Sequence, residues 1–487
     1  MRRLLSIPNY TKYGMPSALS TTTRVVAIVI ELKHMLDARD LKTKLMGIGS
    51  QVARRAKEGA RKASAGVQEK RAASGETAGQ YIVALDIGTE YVKALVGKIS
   101  DGTDSIEIIG VGRERQRLSD MQAGAIADIP SVVENCDQAL SKAEQQAGVS
   151  VRSAVIGIAG ELVKGTTTRV KVTRKQPAKP LDTAEMEKII RLVQERAGEK
   201  AKQQLAWELG GKEVEIRLVN SALVGIEIDS YPVTNPIGFQ GKDIVVQLYT
   251  AYAPLIHIGA LERTAQELDL DLLAVAAEPF AVARSVIGNA SNTAFSAILM
   301  DVGGGTTDIA VINDGGVQGT KMFGIGGRAY TRGVERDLGV EYELAEKLKL
   351  GLENGTVPAK QSAAVKSALG KTLNVWTSGV ELALSEFPAL DHLPHRILLC
   401  GGGSSLDMLM ESLQQTNWYS GLPFTRKPVV QHIRPEQVVG ITDKTGHVTD
   451  HTFITAMGLL RVGLDTVHYA GASSNSVKEK IDKILQT

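Results

Sequence analysis

Cysteine is nearly absent. Cys136 and Cys400 are the only two in 487 residues, and their separation suits neither a disulfide framework nor clustered metal ligands. That usage fits a reducing cytoplasm. Aromatic residues make up 4% of the chain and are not interleaved with basic ones. This argues against a stacking surface for single strands, and no nucleic-acid partner is expected. Long apolar runs are missing too: a stretch such as Val25 to Ile30 falls far short of the roughly 20 residues that a membrane-spanning helix needs. What is present is a globular balance, 43% hydrophobic against 23% charged. The length exceeds one domain of roughly 100–200 residues, so at least two lobes and an extension are expected.

Charge divides the chain in the same way. Residues 1–80 hold 15 Lys and Arg against 6 Asp and Glu, a net +9, whereas the remaining 41 basic and 48 acidic residues leave −7. Residues 1–23 are rich in Ser and Thr and contain no acid, which superficially resembles a targeting peptide. A disordered tail or an upstream-extended start, with Met46 as an internal start, reads the same stretch equally well. Residues 33–72 are expected to be helical. Leu41, Leu45, Met46, Ile48, Val52 and Ala56 fall near one face, basic residues surround it, and Gly47, Gly49 and Gly59 interrupt it. Ala72 to Gln80 reads as a linker.

From Tyr81 the texture becomes that of an α/β protein. YIVALDIG is a short apolar run that ends in an acid and a glycine, and the segments after it alternate as hairpin strands do. A helix is expected over 130–147, capped by Pro130 and Ser131 and ended by Gly148. An amphipathic helix is expected over 183–202, with strands around it at 166–174, 214–228 and 243–252. A helix at 258–268 precedes a buried strand and a helix that begins at Pro279. SAILMDVGGGTTDIAVINDGGVQ then repeats the strand and glycine-turn unit. Helices follow at 328–338, 342–349 and 358–383, then the strand, glycine loop and helix of RILLCGGGSSLDMLMESL, and a last buried helix over 453–463. Hairpin strands feeding helices, stated twice, predict two related lobes.

The two units share a chemical feature. Asp86 ends one apolar strand and precedes Ile87, Gly88 and Thr89; Asp301 ends another and precedes Val302, Gly303, Gly304, Gly305, Thr306, Thr307 and Asp308. A strand-end carboxylate can hold a hydrated Mg²⁺ through water, and glycines let backbone N–H groups close on phosphate oxygens. Asp-x-Gly at a strand end is also an ordinary hairpin turn, but two copies some 200 residues apart argue for a metal-triphosphate clamp. A third loop, Gly401, Gly402 and Gly403 with Ser404 and Ser405, sits between a strand and a helix, where the α-phosphate or adenine edge could approach. It too reads as a plain tight turn when taken alone. There is no Walker A lysine and no wide Rossmann spacing.

Taken together, these motifs resemble the superfamily of actin, DnaK-type chaperones and sugar kinases, and within it the FtsA family of bacterial cell-division proteins. The likeness covers about residues 80–465. It rests on AGAIADIPSVVENCDQALSKAEQQAGV, IGIAGELVKG, DSYPVTNPIGFQGKDIVVQ and FGIGGRAYTRGVERDLGVEYELAEKLKLG; the last, with Gly326, Gly327, Thr331 and the helix at 345–349, is the most specific. The resemblance implies an actin-like, ribonuclease H-like two-lobed ATPase fold with an FtsA-type extra subdomain. The extension would span 1–79, the first lobe 80–152 and 243–297, the inserted subdomain 153–242, the second lobe 298–465 and a tail 466–487. It implies ATP and Mg²⁺ as cofactors, with Asp86 and Asp301 facing the metal and Gly88, Thr89 and Gly303–Thr306 around the phosphates. Glu278 would orient the attacking water, although alone it reads as a helix-start acid. Glu346 and Lys349 would contact ribose and adenine, although alone they read as a solvated helix pair. Gly401–Gly403 would form the adenosine loop.

The implied role is a cytoplasmic protein, peripheral on the inner face of the membrane at the division site. It would self-associate into filaments through the inserted subdomain and link the tubulin-like polymer FtsZ to that membrane, with at most slow ATPase activity. Two departures from the family stand out. The chain ends in SSNSVKEKIDKILQT, with Val477, Ile481, Ile484 and Leu485 on one face but no Trp or Phe, a marginal membrane helix. It also carries the basic front that the family ordinarily lacks. The alternatives are an adaptor of pilus assembly resembling PilM and a small-molecule kinase. A kinase needs a catalytic base aimed at a substrate hydroxyl, and no extra acid in a substrate loop suggests one.

Overall fold

The computed structural model describes residues 80–471, apart from 101–103, 162, 288–294, 388–389 and 416–417. The helix expected over 33–72, the linker before Gln80 and the amphipathic tail after 471 lie outside the described residues.

Strands β1 (Tyr81–Ile87), β2 (Tyr91–Ile99) and β3 (Ile106–Arg115) form an antiparallel meander. The apolar side chains of β1 are buried on both faces, as a strand covered on both sides requires. A two-residue hairpin, β4 (Met121–Gln122) and β5 (Ala125–Ile126), leads into α1 (Ile129–Ala147). The cap of α1 is Asp128, whose carboxylate accepts from the Ser131 N–H, and not Ser131 itself; Gly148 closes the helix at φ 70°. β6 (Ser153–Ile158) then runs parallel beside β1.

The next segment builds a smaller layer from β7 (Lys164–Thr173), α2 (Thr183–Glu208), β8 (Ile216–Ile228), β9 (Tyr231–Pro232) and β10 (Asp243–Pro254). Met186, Ile189, Ile190 and Val193 of α2 pack with Val170, Ile226, Ile244 and Val246 of the strands. β10 pairs along its length with both β7 and β8. After α3 (Leu255–Glu267), β11 (Asp271–Ala277) lies parallel to β6 and passes directly into α4 (Glu278–Ile287).

The meander recurs as β12 (Ala297–Val302), β13 (Thr307–Asn313) and β14 (Gly316–Phe323), followed by α5 (Gly327–Leu338), α6 (Tyr342–Glu353) and α7 (Ala359–Ser385). β15 (Arg396–Cys400) runs parallel to β12 and β16 (Val429–His432) parallel to β15, with α8 (Asp407–Gln414) between them. β17 (Ile441–Asp443) and α9 (Ile454–Gly471) complete the described chain. The order β3-β2-β1-β6-β11 in one sheet reappears as β14-β13-β12-β15-β16 in the other, so the two lobes are topological repeats. β17 extends the first sheet beyond β3, and the inserted strands extend the second beyond β14. That junction is short, with Gly319 opposite Thr166 and Thr320 opposite Gly165.

Strand parity explains how the layers meet, because alternate side chains face opposite sides of a sheet. Ile298, Met300 and Val302 join one core with Trp376, Leu369 and other residues of the second lobe's helices. Ala297 and Leu299 join the other core, with residues of α4, α9 and the first sheet. Helices α4 and α9 therefore pack against each other between the two sheets. They touch so closely that a Cβ on Gly458 would lie 2.5 Å from the Ala281 carbonyl oxygen. α9 runs past the expected end at Gly463 because Leu464 remains buried.

Candidate functional site

Because β1 and β12 occupy equivalent central places in their sheets, Asp86 and Asp301 arrive at equivalent strand ends. Both are buried, 3% and 7% exposed. The turn after each strand reaches toward the other lobe. A Cβ on Gly304 would lie 2.8 Å from Glu90 Cβ, and one on Gly305 would lie 2.7 Å from Thr89 Oγ1, so only glycine permits the loops to approach this closely. The third loop is bound to the same place. Gly401 adopts φ 81°, and a Cβ there would fall 1.9 Å from Asp301 Oδ1. Gly402–Ser405 then form a 3₁₀ turn ahead of α8, which puts this turn rather than the helix start against the cleft.

The three loops open onto one cavity of about 480 Å³. Asp86, Gly88, Thr89, Glu278, Asp301, Gly303, Gly304, Thr306, Glu346, Lys349, Gly401, Gly402 and Gly403 all line it; Gly305, turned toward Thr89, does not. Lys93, Asp308, Arg328 and Tyr342 also line it, and sequence reasoning did not single them out as site residues. Lys93 had a signal: it stands opposite Asp86 in the β1–β2 hairpin register. So did Asp308, which stands opposite Asp301 in the β12–β13 register.

Carboxylates dominate the deep end. Burial raises the Glu278 carboxyl well above its usual range, and the charges of Asp86, Asp308 and Asp301 raise it further. Burial, then the neighbouring Asp301, does the same to Asp308. Asp301 is raised by burial, against a hydrogen bond that Thr455 Oγ1 donates to its Oδ2. Lys93 offsets this charge: its Nζ lies 2.8 Å from Asp86 Oδ2. Burial opposes its charge, but Asp86 more than compensates, and its pKa is raised. At the other end, Lys349 Nζ pairs with Glu346 Oε2 at 2.8 Å and donates to Thr331 Oγ1 at 2.9 Å and the Gly327 carbonyl at 3.1 Å. The pair is therefore built into the α5–α6 junction, not solvated.

Asp308 Oδ1 is buried with no hydrogen-bond partner, although its Oδ2 accepts from Thr306 Oγ1 at 3.0 Å. An orphaned carboxylate oxygen within a cluster of buried acids fits a cation in the cleft. Among the described residues, no three His, Cys, Asp or Glu side chains are placed to ligate a metal directly. The donor set therefore suits a hydrated ion that completes its shell with water and phosphate oxygens, as Mg²⁺ does.

Two repeated lobes around a packed pair of helices, with paired strand-end aspartates at the cleft, define an actin-like fold. Among solved structures, the PilM-PilN type IV pilus biogenesis complex superimposes with a TM-score of 0.57, covering 79% of this chain and 98% of that chain at 15% identity. Within this class the chain resembles the bacterial actin-like cell-division protein FtsA. The family model "Cell division protein FtsA" matches residues 298–458. The FtsA of Pseudomonas aeruginosa is 25% identical over 414 residues, 79% of this chain and 90% of that protein. The FtsA of Neisseria meningitidis is 26% identical over 404 residues, 78% and 89% of the two.

Proposed function

We propose that this chain is an FtsA-type cell-division protein that binds ATP with Mg²⁺ between its lobes, self-associates, and links an FtsZ-like tubulin homologue to the inner face of the cytoplasmic membrane. The observation that carries the nucleotide part is the convergence of two aspartate-led glycine loops and a third glycine loop on one cavity. The similarity to named division proteins carries the rest.

In this reading Asp86 and Asp301 would hold the waters of the cation, and the backbone of Gly88, Thr89, Gly303, Gly304 and Thr306 would meet the phosphates. Glu346 and Lys349 would contact the ribose and adenine, and Gly401–Gly403 would form the adenosine loop. Bound Mg²⁺ would supply charge neutralisation for the triphosphate. Glu278, at the first turn of α4 and in the lining of the cavity, would orient an attacking water. The likeness to the PilM structure concerns the fold alone, and no observation in this molecule favours a pilus adaptor.

Sedimentation of the full chain with anionic liposomes and an FtsZ polymer, with and without ATP and Mg²⁺, tests the proposal. The expected result is FtsZ in the pellet only when this chain is present, with ATP changing the amount. Failure of the chain to bind FtsZ at any nucleotide state would overturn the division role.

A further inference from the structure

Glu90 and Arg328 stand at the mouth of the cleft, one from each lobe. Glu90 follows Thr89 in the first phosphate loop. Arg328 is the second residue of α5, and the backbone there is fixed to the second loop: Gly327 N–H donates to Gly303 O at 2.9 Å and Arg328 N–H to Gly304 O at 2.8 Å. Its side chain crosses to the first lobe. Nε donates to Glu90 Oε2 at 2.8 Å, and the guanidinium also reaches the Leu118 and Arg117 carbonyls, each at 3.4 Å. Glu90 Oε1 accepts from Arg115 Nε at 2.8 Å, and Arg115 Nη1 returns to Glu343 Oε2 of the second lobe at 3.3 Å.

The links differ in weight. Glu343 and Arg115 are 64% and 41% exposed, and such open pairs contribute little. Arg328 and Glu90 are only 11% and 19% exposed, so water and salt screen their attraction less. Both side chains also line the nucleotide cavity. A bound nucleotide enclosed by loops from both lobes leaves when the lobes part, and parting them separates this pair.

We propose that Glu90 and Arg328 are positioning residues that form an interlobe latch, which holds the two phosphate loops together and sets the rate at which nucleotide enters and leaves. This rests on the nucleotide-binding reading above, and the experiment keeps the two apart.

Stopped-flow release of a fluorescent ATP analogue is measured for the full chain and for Glu90→Gln, Arg328→Gln and the double variant. Each single variant should release nucleotide about tenfold faster, since interface changes fall mostly on off-rates. The double variant should be no faster than either single one, because residues that act through one contact are not additive. A second arm needs no nucleotide. Spin labels at Ser141→Cys on α1 and Ser378→Cys on α7 report lobe spacing; both serines are exposed, and the native Cys136 and Cys400 are buried. Arg328→Gln should broaden the distance distribution and lengthen its mean. Unchanged spacing and release in the single variants, or release effects that multiply in the double variant, would overturn the latch. A wild-type chain that binds no nucleotide would instead overturn the nucleotide reading and the rate-setting role, leaving the label distances to decide whether the pair holds the lobes.

Discussion

Asp301 is pressed between Gly401, which leaves its Oδ1 no room for a neighbouring Cβ, and Thr455, which donates to its Oδ2. If that carboxylate holds the cation's waters, Asp301→Ala should abolish the Mg²⁺ dependence of ATP binding. Affinity in Mg²⁺ should fall by about 100-fold or more and converge on the value in EDTA, since removing one partner of a buried charge contact costs about 2–5 kcal/mol. Unchanged affinity on calorimetric titration would remove the metal clamp from this cleft. Glu278 makes a different prediction. Glu278→Gln should leave ATP affinity nearly intact and suppress whatever hydrolysis the wild type shows, because orienting water acts in the transition state. Its raised pKa also has a thermodynamic sign. The folded state holds the Glu278 proton more tightly than the unfolded chain, so its contribution is fully present below the ordinary value of 4.5 and is lost as pH rises through the folded value. The nucleotide-free Gln variant should therefore melt higher than wild type near pH 8, by roughly 1–3 °C, and the difference should vanish near pH 4. A melting point equal to wild type at pH 8 would mean that Glu278 carries no such penalty.

Helix α4 brings Glu278 to the cavity and α9 brings Thr455 to Asp301, and the two helices touch where Gly458 meets the Ala281 carbonyl. In a helix, alanine is favoured over glycine by about 1 kcal/mol. Overpacking against backbone costs about 1–3 kcal/mol, and the 2.5 Å approach makes that the larger effect. Gly458→Ala should lower the guanidinium unfolding midpoint, and a midpoint at or above wild type would show that the helices can part. This contact was invisible in the sequence because the two positions lie far apart in the chain. Most elements were legible to within a few residues, since a strand or helix writes its own period. Ends were less so: α3 begins at Leu255 because Pro254 precedes it, and α1 is capped by Asp128 because its carboxylate reaches the Ser131 N–H. The Asp-x-Gly loops were legible for the same local reason. The Asp86–Lys93 pair follows from hairpin register and was within reach of the sequence, but Glu90 and Arg328 are 238 positions apart and meet only once the lobes close. Glu278 was singled out by family resemblance, for a helix-start acid looks the same with or without water to orient.

Charge, at the scale of the whole chain, bears on where a membrane would be met. Residues 1–80 carry net +9 and the rest −7, so an anionic leaflet attracts the extension and repels the body. Among the described residues, no helix is long and apolar enough to cross a membrane. If the proposed membrane role holds, direct contact is expected in residues 33–72, whose sequence carries Arg54, Arg55, Lys57, Arg61, Lys62, Lys70 and Arg71. Basic residues near an anionic surface contribute about 1 kcal/mol each, so five well-placed ones would outweigh a weak apolar contribution from a glycine-interrupted segment. The sequence after residue 471 has Lys478, Lys480 and Lys483 with the aliphatic Val477, Ile481, Ile484 and Leu485, which would give only marginal binding. Deleting residues 1–78 should sharply reduce sedimentation with anionic liposomes. The full chain should also lose binding as salt rises toward 1 M, where the screening length shrinks to about 3 Å. If the truncated chain binds as well as the full one, while removal of residues 474–487 releases it, the anchor is the tail and the basic extension serves another purpose.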